Sequence, residues 1–330
     1  MIFSLAITGP TASGKTALSL SLAEKLSAEI ISADSMQIYR EMDIGTAKAT
    51  REERERVPHH LLDIVSPTEM FSVEAYRTAA ISAAEDIVSR GKTPIFVGGT
   101  GLYVDSLTRG VSLDSPESDP AFRDKILEGI KNDEDVSKLW ERLRDVDPES
   151  AEKIHKNNVK RVIRAIEIYE KTGKPKSVFD KETKNIPGEI FVGMITLDFH
   201  HRETLYSRVD KRVDIMMEEG LLEEVRGLYD RGFLSDGTAS QAIGYKEIVS
   251  HLEGKCTLSE AIEQIKLASR RYAKRQLTWF RHKAEAVTVF ADGEDGKLRT
   301  LEDILSESLS HYAAFKIQYD KLLRGNGDEG

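Results

Sequence analysis

The chain has 330 residues, 40% hydrophobic and 31% charged, with a formal net charge of -9. This is the make-up of a soluble globular protein with ample material for a core, long enough for one large domain or a domain carrying an insertion. The acidic balance argues against a nucleic-acid partner unless basic residues are segregated, and the single cysteine, Cys256, excludes a disulfide framework or cysteine-rich zinc module.

"MIFSLAIT" is apolar but shows neither a basic leader nor a cleavage site, so it reads as a first strand, Ile2–Thr8. No apolar run has the length of a membrane span, and a cytoplasmic enzyme, acting as a monomer, is expected. After a glycine loop, Leu18, Leu22 and Leu26 recur at helical spacing; Ala28–Asp34 is a second buried strand. Ser72 caps an amphipathic helix that Gly91 stops, and Thr93–Gly101 is a third strand ending in glycines. Strand–helix alternation of this kind predicts a parallel sheet with helices on both faces and a site at the carboxyl ends of the strands.

Near Leu113–Pro120 the pattern becomes charged and helical, with no convincing strand until Ile190–Asp198. The spacing predicts an α-helical insertion, 115–187, in a discontinuous α/β core of 1–114 and 188–315. Long helices follow over "TLYSRVDKRVDIMMEEGLLEEVRGLYDRG" and "TLSEAIEQIKLASRRYAKRQLTWFRHK", then a strand "AVTVFAD" and a helix near Leu301–Phe315. Residues 316–330, ending in "RGNGDEG", are expected to form a flexible tail.

Gly9, Gly14, Lys15 and Thr16 fit G-x-x-x-x-G-K-[ST] between a strand and a helix. In that setting backbone N–H groups and the helix N-terminus point at an anion; Lys15 adds a charge and the Thr16 hydroxyl can bind Mg²⁺. The loop reads two adjacent phosphoryl groups and does not distinguish a diphosphate from a triphosphate. Asp34, just past the second strand, can hold Mg²⁺, accept a proton or cap a turn. Beyond it, Ser35, Gln37 and Tyr39 are able to bond or stack on a base, while Thr46 and Lys48 add polar and cationic capacity.

Charge is indeed segregated. Lys266–Lys283 contains seven Lys/Arg and no acid, with Lys274, Arg275 and Arg281 free for phosphates and Trp279 and Phe280 able to stack or pack. A second basic segment carries Lys160, Arg161 and Arg164. Two such helices in an acidic protein suggest two walls of an RNA groove.

"GPTASGKT", "SADSMQIYREMDIGTAK", "PHHLLDI", "VGGTGLY", "RVIRAIEIYEKTGKP", "AIGYKE" and "KRQLTWFR", in this order, resemble the motifs of the bacterial tRNA dimethylallyltransferase (tRNA isopentenylpyrophosphate transferase) family from Ile2 to His282. The resemblance implies a P-loop-kinase-like fold that moves a dimethylallyl group from dimethylallyl diphosphate to N6 of adenosine 37 beside the tRNA anticodon, with Mg²⁺. It implies that Gly9, Pro10, Thr11, Ala12, Ser13, Gly14, Lys15 and Thr16 hold the diphosphate leaving group. Asp34 would take the N6 proton, Thr100 would bond near the reacting atoms, and Arg208, with Arg212 as substitute, would meet the charge developing on diphosphate.

By the same resemblance the tRNA contacts are Asp34, Ser35, Met36, Gln37, Thr100 and Arg123, then Lys160, Arg161, Val162, Ile163 and Arg164. The segments Gln241, Ala242, Ile243, Gly244, Tyr245, Lys246 and Lys274, Arg275, Gln276, Leu277, Thr278, Trp279, Phe280, Arg281 complete them. The target adenine has to leave its stack to react. The aspartate-rich D-D-x-x-D of other prenyl transferases is absent; "NDEDV" lacks its spacing. His59 and His60 read as structural rather than catalytic. The main rival is a P-loop kinase, which would use a triphosphate and carry a mobile arginine-rich lid.

Overall fold

The structure is a computed structural model and describes residues 1–108, 119–184, 188–235, 237–283 and 285–325. The chain forms two units, Met1–Thr108 with Glu189–Gly330, and Arg109–Gly188. The expected ends of the insertion, residues 115 and 187, lie outside the described residues.

The first unit opens with β1 (Ile2–Thr8), α1 (Lys15–Leu26), β2 (Ala28–Ser32), α2 (Arg51–Arg56), β3 (His59–His60), α3 (Val73–Ser89), β4 (Thr93–Val97) and α4 (Gly101–Thr108). The second unit holds α5 (Pro120–Gly129), α6 (Asp133–Val146), α7 (Pro148–Lys153), α8 (Val159–Thr172) and α9 (Lys176–Lys184). The chain returns to the first unit with β5 (Ile190–Asp198), α10 (Arg202–Glu218), α11 (Leu221–Asp230), α12 (Tyr245–Leu252), α13 (Leu258–Arg281), β6 (Ala286–Phe290) and α14 (Leu301–Gly325).

The sheet order is β3-β2-β4-β1-β5-β6 and all pairings are parallel. A parallel sheet covered on both faces needs strands that are apolar throughout. β1 satisfies this: Leu5, Ala6 and Ile7 are fully buried, and residues 3–8 all lie in the core. Its two polar members are satisfied internally, Ser4 donating to the Phe191 carbonyl and Thr8 sharing a 2.7 Å hydrogen bond with Thr196.

The strand ends are then tied together. Ala33 N–H donates to the Val97 carbonyl at 2.8 Å, Gly98 N–H to Ile7 at 3.2 Å and Thr100 N–H to Ala33 at 3.2 Å. The chain leaving β1, β2 and β4 is thereby gathered at one carboxyl edge, the place where ligands bind in open α/β sheets.

Three expectations are corrected. The run expected as one long helix after β5 breaks at Gly220 (φ 103), which separates α10 from α11 because the left-handed region is cheap only for glycine. The third strand stops at Val97, and α4 begins at Gly101. The final helix runs on through residues 316–325 of the expected tail. Phe315 is buried, and Tyr312 and Tyr319 stand edge-on to Phe3, so an aromatic seam holds α14 on the sheet. Residues 326–330 lie outside the described residues.

The helical unit has its own core of Leu139, Leu143, Ala151, Val162, Ile163, Ala165 and Ile166. Side-chain caps start three of its helices: Asp119 accepts from Phe122 N–H, Asn132 from Glu134 and Asp135, and Asp147 from Ser150.

Candidate functional site

Residues 9–14 leave β1 and turn into α1, whose first helical residue is Lys15. The loop is strapped from two distant helices. Thr11 N–H donates to Gln276 Oε1 at 2.9 Å, and Arg208 Nε donates to the Ala12 carbonyl at 2.8 Å. Lys15 folds back to donate to the carbonyls of Gly9 (3.1 Å) and Pro10 (2.6 Å). Thr16 is exposed at the start of the helix.

Positive charge is concentrated here. Burial, and then the Arg212 guanidinium, push the Lys15 ammonium down to about 7, with Asp34 opposing the shift. Burial also lowers Arg208 and Arg212, the latter against the pull of Asp34 and Glu219. Among the described residues, the buried Arg212 Nε and Ser13 Oγ have no hydrogen-bond partner. Half-buried cations and an orphaned donor beside a helix N-terminus make a site for a polyvalent anion, since such groups are costly until an anion satisfies them.

The opposite wall comes from β2 and β4. Asp34 caps its own turn, Oδ1 accepting from Met36 N–H at 2.9 Å. Ser35 N–H donates to Thr100 Oγ1 at 3.0 Å, joining the two strand ends. Gln37 accepts from Ser32 Oγ and donates to the carbonyls of Thr46 and Ala47, so it staples the loop beyond Asp34. Tyr272 of α13 also faces this wall. Burial raises its phenol and the Asp34 charge adds to the shift, while hydrogen bonds with Thr100 and Gln276 oppose it.

A cavity of about 800 Å³ joins these walls and is lined by Thr11 to Thr16, Asp34 to Gln37, Arg208, Arg212, Tyr272 and Arg275. Gln241 to Gly244, Lys246 and Gln276 also border it. Of the groups expected at the site, Gly9, Pro10 and Thr100 stand behind the lining, and Tyr245 is fully buried with its hydroxyl on Glu224 at 2.5 Å.

Several expected contacts are elsewhere. Tyr39 is buried, and Lys48 is buried with its ammonium on the Tyr39 carbonyl, Asp43 and Asp63, so neither is available to a base or phosphate. Val162 and Ile163 belong to the helical unit's core; Leu277 and Phe280 belong to the cores beside the sheet. A side chain removed from solvent in this way reads no RNA. Ala242 and Gly244 are likewise buried.

Arg123 donates twice to the buried Glu167, which Arg164 also reaches at 2.9 Å. Arg281 donates from Nε and Nη2 to Asp198 at 2.7 and 2.8 Å. These arginines are engaged in ion pairs, and Arg281 is exposed as well. Lys160, Arg161, Gln241, Lys246, Lys274, Arg275, Thr278 and Trp279 remain exposed. His60 Nε2 contacts Glu29 and His59 Nδ1 the Val57 carbonyl, in keeping with a structural reading.

Tyr272 was missed by sequence reasoning. The available signal was its place one helical turn before Gln276, a residue of the recognised block.

Among the described residues no group of three or more His, Cys, Asp or Glu could hold a metal. Mg²⁺ commonly takes only one or two protein ligands and draws the rest from phosphate and water. The exposed Thr16 hydroxyl, with Asp34 lining the same cavity, fits that mode.

A family profile described as IPP transferase matches residues 37–283. A tRNA dimethylallyltransferase of Bacillus cereus is 50% identical over 291 residues, 87% of this chain and 90% of that one. Among solved structures, the tRNA delta(2)-isopentenylpyrophosphate transferase of Staphylococcus epidermidis has a TM-score of 0.68 at 41% identity, covering 95% of this chain and 99% of that one. A eukaryotic dimethylallyltransferase acting on tRNA has a TM-score of 0.75 at 34% identity, covering 88% of this chain and 74% of that one.

Proposed function

The chain belongs to the IPP transferase family, and on that premise we propose that it is a tRNA dimethylallyltransferase. It moves the dimethylallyl group of dimethylallyl diphosphate to N6 of adenosine 37, next to the anticodon, and releases diphosphate. The observation that carries this reading is the pairing, in one cavity, of a cationic phosphate loop with a carboxylate from the neighbouring strand end.

Residues 9–16 wrap the diphosphate, the start of α1 at Gly14, Lys15 and Thr16 presents N–H groups to it, and Lys15, Arg208 and Arg212 supply charge. As the allylic C–O bond breaks, negative charge grows on the departing oxygens, so half-buried cations stabilise the transition state more than the ground state. Thr16 would hold Mg²⁺, which when bound neutralises part of the diphosphate charge.

The exocyclic amine is a weak nucleophile because its lone pair is delocalised into the ring. As the new C–N bond forms, the amine loses a proton, and Asp34 accepts it. Asp34 uses one oxygen on Met36 N–H, which fixes the carboxylate and leaves the other oxygen for the amine. Thr100 stands behind that position and fixes Ser35 by accepting its N–H, while Tyr272 borders the cavity beside it.

For RNA, α13 offers Lys274, Arg275, Thr278 and Trp279, and α8 offers Lys160 and Arg161. Cationic groups for the backbone and an aromatic face for a base are what a flipped-out nucleotide requires. No helix among the described residues is long and apolar enough to cross a membrane; we read the enzyme as acting on cytoplasmic tRNA, as a monomer.

The test incubates purified protein with unmodified tRNA, Mg²⁺ and labelled dimethylallyl diphosphate, then digests the RNA to nucleosides. Label on the adenosine beside the anticodon is expected, and none when ATP replaces the donor. Phosphorylated product from ATP, with no allyl transfer, would make the protein a kinase instead.

A further inference from the structure

We propose that Gln276 is a positioning residue that couples RNA binding on α13 to the affinity of the phosphate loop for diphosphate. The inference rests on the functional reading above and goes beyond it.

Gln276 sits in the middle of a basic helix, yet its side chain points inward and the residue is 5% exposed. Its amide is used at both ends. Oε1 accepts Thr11 N–H at 2.9 Å and Nε2 donates to the Gly99 carbonyl at 3.0 Å. Thr11 belongs to the loop after β1, and Gly99 to the loop after β4. One side chain therefore bridges the diphosphate loop and the segment that carries Thr100.

The fit admits no slack. A Cβ on residue 99 would stand 1.9 Å from Gln276 Nε2, so glycine is required for the amide to approach. Five residues further along, Arg281 holds Asp198 at the end of β5. Through Gln276 and Arg281, α13 thus holds the ends of three adjacent strands.

The outer face of the same turns is exposed at Lys274, Arg275, Thr278 and Trp279. Residues 274–279 lie within two turns of one continuous helix, so hydrogen-bonded backbone joins the two faces. RNA seated on the outer face biases the helix position, and Gln276 delivers that bias to Thr11 and Gly99 with no intervening flexible element. Thr11 N–H is engaged by glutamine, so the loop's other N–H groups are held in one arrangement toward the anion. By linkage, RNA tightens diphosphate binding and diphosphate tightens RNA binding by the same factor.

The experiment titrates inorganic diphosphate with Mg²⁺ into the full chain, with and without saturating unmodified anticodon stem-loop RNA. In the wild type the RNA is expected to tighten diphosphate about tenfold, within the ~5–150-fold range of such couplings. Gln276→Leu, which keeps the volume and removes both hydrogen bonds, is expected to bring the factor below about 2 while RNA affinity stays within about threefold. Gln276→Glu keeps the acceptor for Thr11 but sets a carboxylate oxygen against the Gly99 carbonyl; it also lowers the factor and serves if the leucine variant does not fold.

A merely structural strut would weaken both ligands without changing the factor. Equal diphosphate affinity with and without RNA in the wild type, or an unchanged factor in the variants, overturns the proposal. If the wild type transfers dimethylallyl but lacks coupling, only this proposal falls. If it binds diphosphate and never binds tRNA, the functional reading falls with it.

Discussion

Arg208 donates its Nε–H to the carbonyl of Ala12 at 2.8 Å, clasping the phosphate loop at a residue with φ 62. A left-handed alanine costs roughly 1–2 kcal/mol, so the arginine helps hold a loop shape that alanine does not prefer. Arg212, one turn further along α10, has the orphaned Nε and the stronger effect on Lys15. The two arginines therefore differ: Arg208 shapes the loop as well as lending charge, and Arg212 keeps an unpartnered donor for the anion. Arg212→Met is expected to lower kcat about 10²–10³-fold, as loss of a transition-state donor does. Arg208→Lys is expected mainly to raise the donor KM, about tenfold, through the lost tie. Steady-state kinetics decide this, and a larger kcat loss at Arg208 would reverse the assignment.

Lys15 gives a pH signature. In the free protein its pKa is about 7, lowered by burial and by Arg212, whereas bound diphosphate favours the ammonium. Donor binding at pH 8 should take up a proton, and affinity should fall by up to about tenfold per pH unit above 7. Calorimetry in two buffers of different ionisation enthalpy measures the uptake; none at pH 8 contradicts the assignment.

The same shift sets a stability prediction of unusual sign. The folded pKa lies below the unfolded value of 10.5, so burying the ammonium destabilises the free protein fully below pH 7. The penalty fades as pH rises from about 7 toward 10.5. Lys15→Met should therefore melt no lower than wild type at pH 6 while losing donor binding. A lower melting temperature would show that Lys15 is stabilised by its loop carbonyls instead.

Asp34→Asn preserves the acceptor for Met36 N–H and removes only the base. Single-turnover transfer should slow about 10²–10⁴-fold, with donor binding retained. Full activity in this variant would remove Asp34 from the proton step.

Glu29 does not line the cavity and carries stability. Its buried carboxylate meets Arg90, Lys92 and His60, and the Arg90 hydrogen bonds above all lower its pKa from 4.5 to about 2. A depressed folded pKa means stability that is present above about 4.5 and lost as pH falls through about 2. Glu29→Gln should cost about 3 kcal/mol at pH 7 and almost nothing at pH 2. Urea midpoints at pH 7 and at pH 2 give the comparison; an equal cost at both would assign the loss to packing.

Exposed and buried members of the basic helices should separate cleanly. Alanine at Lys160, Arg161, Lys274 or Arg275 should reduce the salt slope of tRNA binding by about 0.7–0.9 each and leave melting unchanged. Val162→Ala and Phe280→Ala should instead cost roughly 1–5 kcal/mol of stability with an unaltered slope. Filter binding from low to high salt, beside thermal melts, distinguishes the two groups.

Much of the site was legible because its signals are local. The phosphate loop is contiguous, β1 and β5 are continuous apolar runs, and Ser72 and Gly91 mark a helix by their own side chains and backbone freedom. The reading went astray where partners are distant in sequence. Lys48 carries a charge that suggests a ligand site until Asp43 and Asp63 are seen to absorb it. Arg281 and Arg123 look wholly free for phosphate until Asp198 and Glu167 are seen to engage two donors of each.

The chain's own order of residues determined that a strand, an anion-binding loop and a helix follow one another, and that one helix late in the chain is basic. Only the tertiary structure decided which of those basic residues face outward, that Gln276 meets Thr11 across 265 positions, and that Lys15 and Arg212 share a buried field with Asp34. The reason is physical. Backbone periodicity and loop shape arise from neighbours along the chain, whereas burial, ion pairing and shifted protonation depend on what packing brings within a few ångströms.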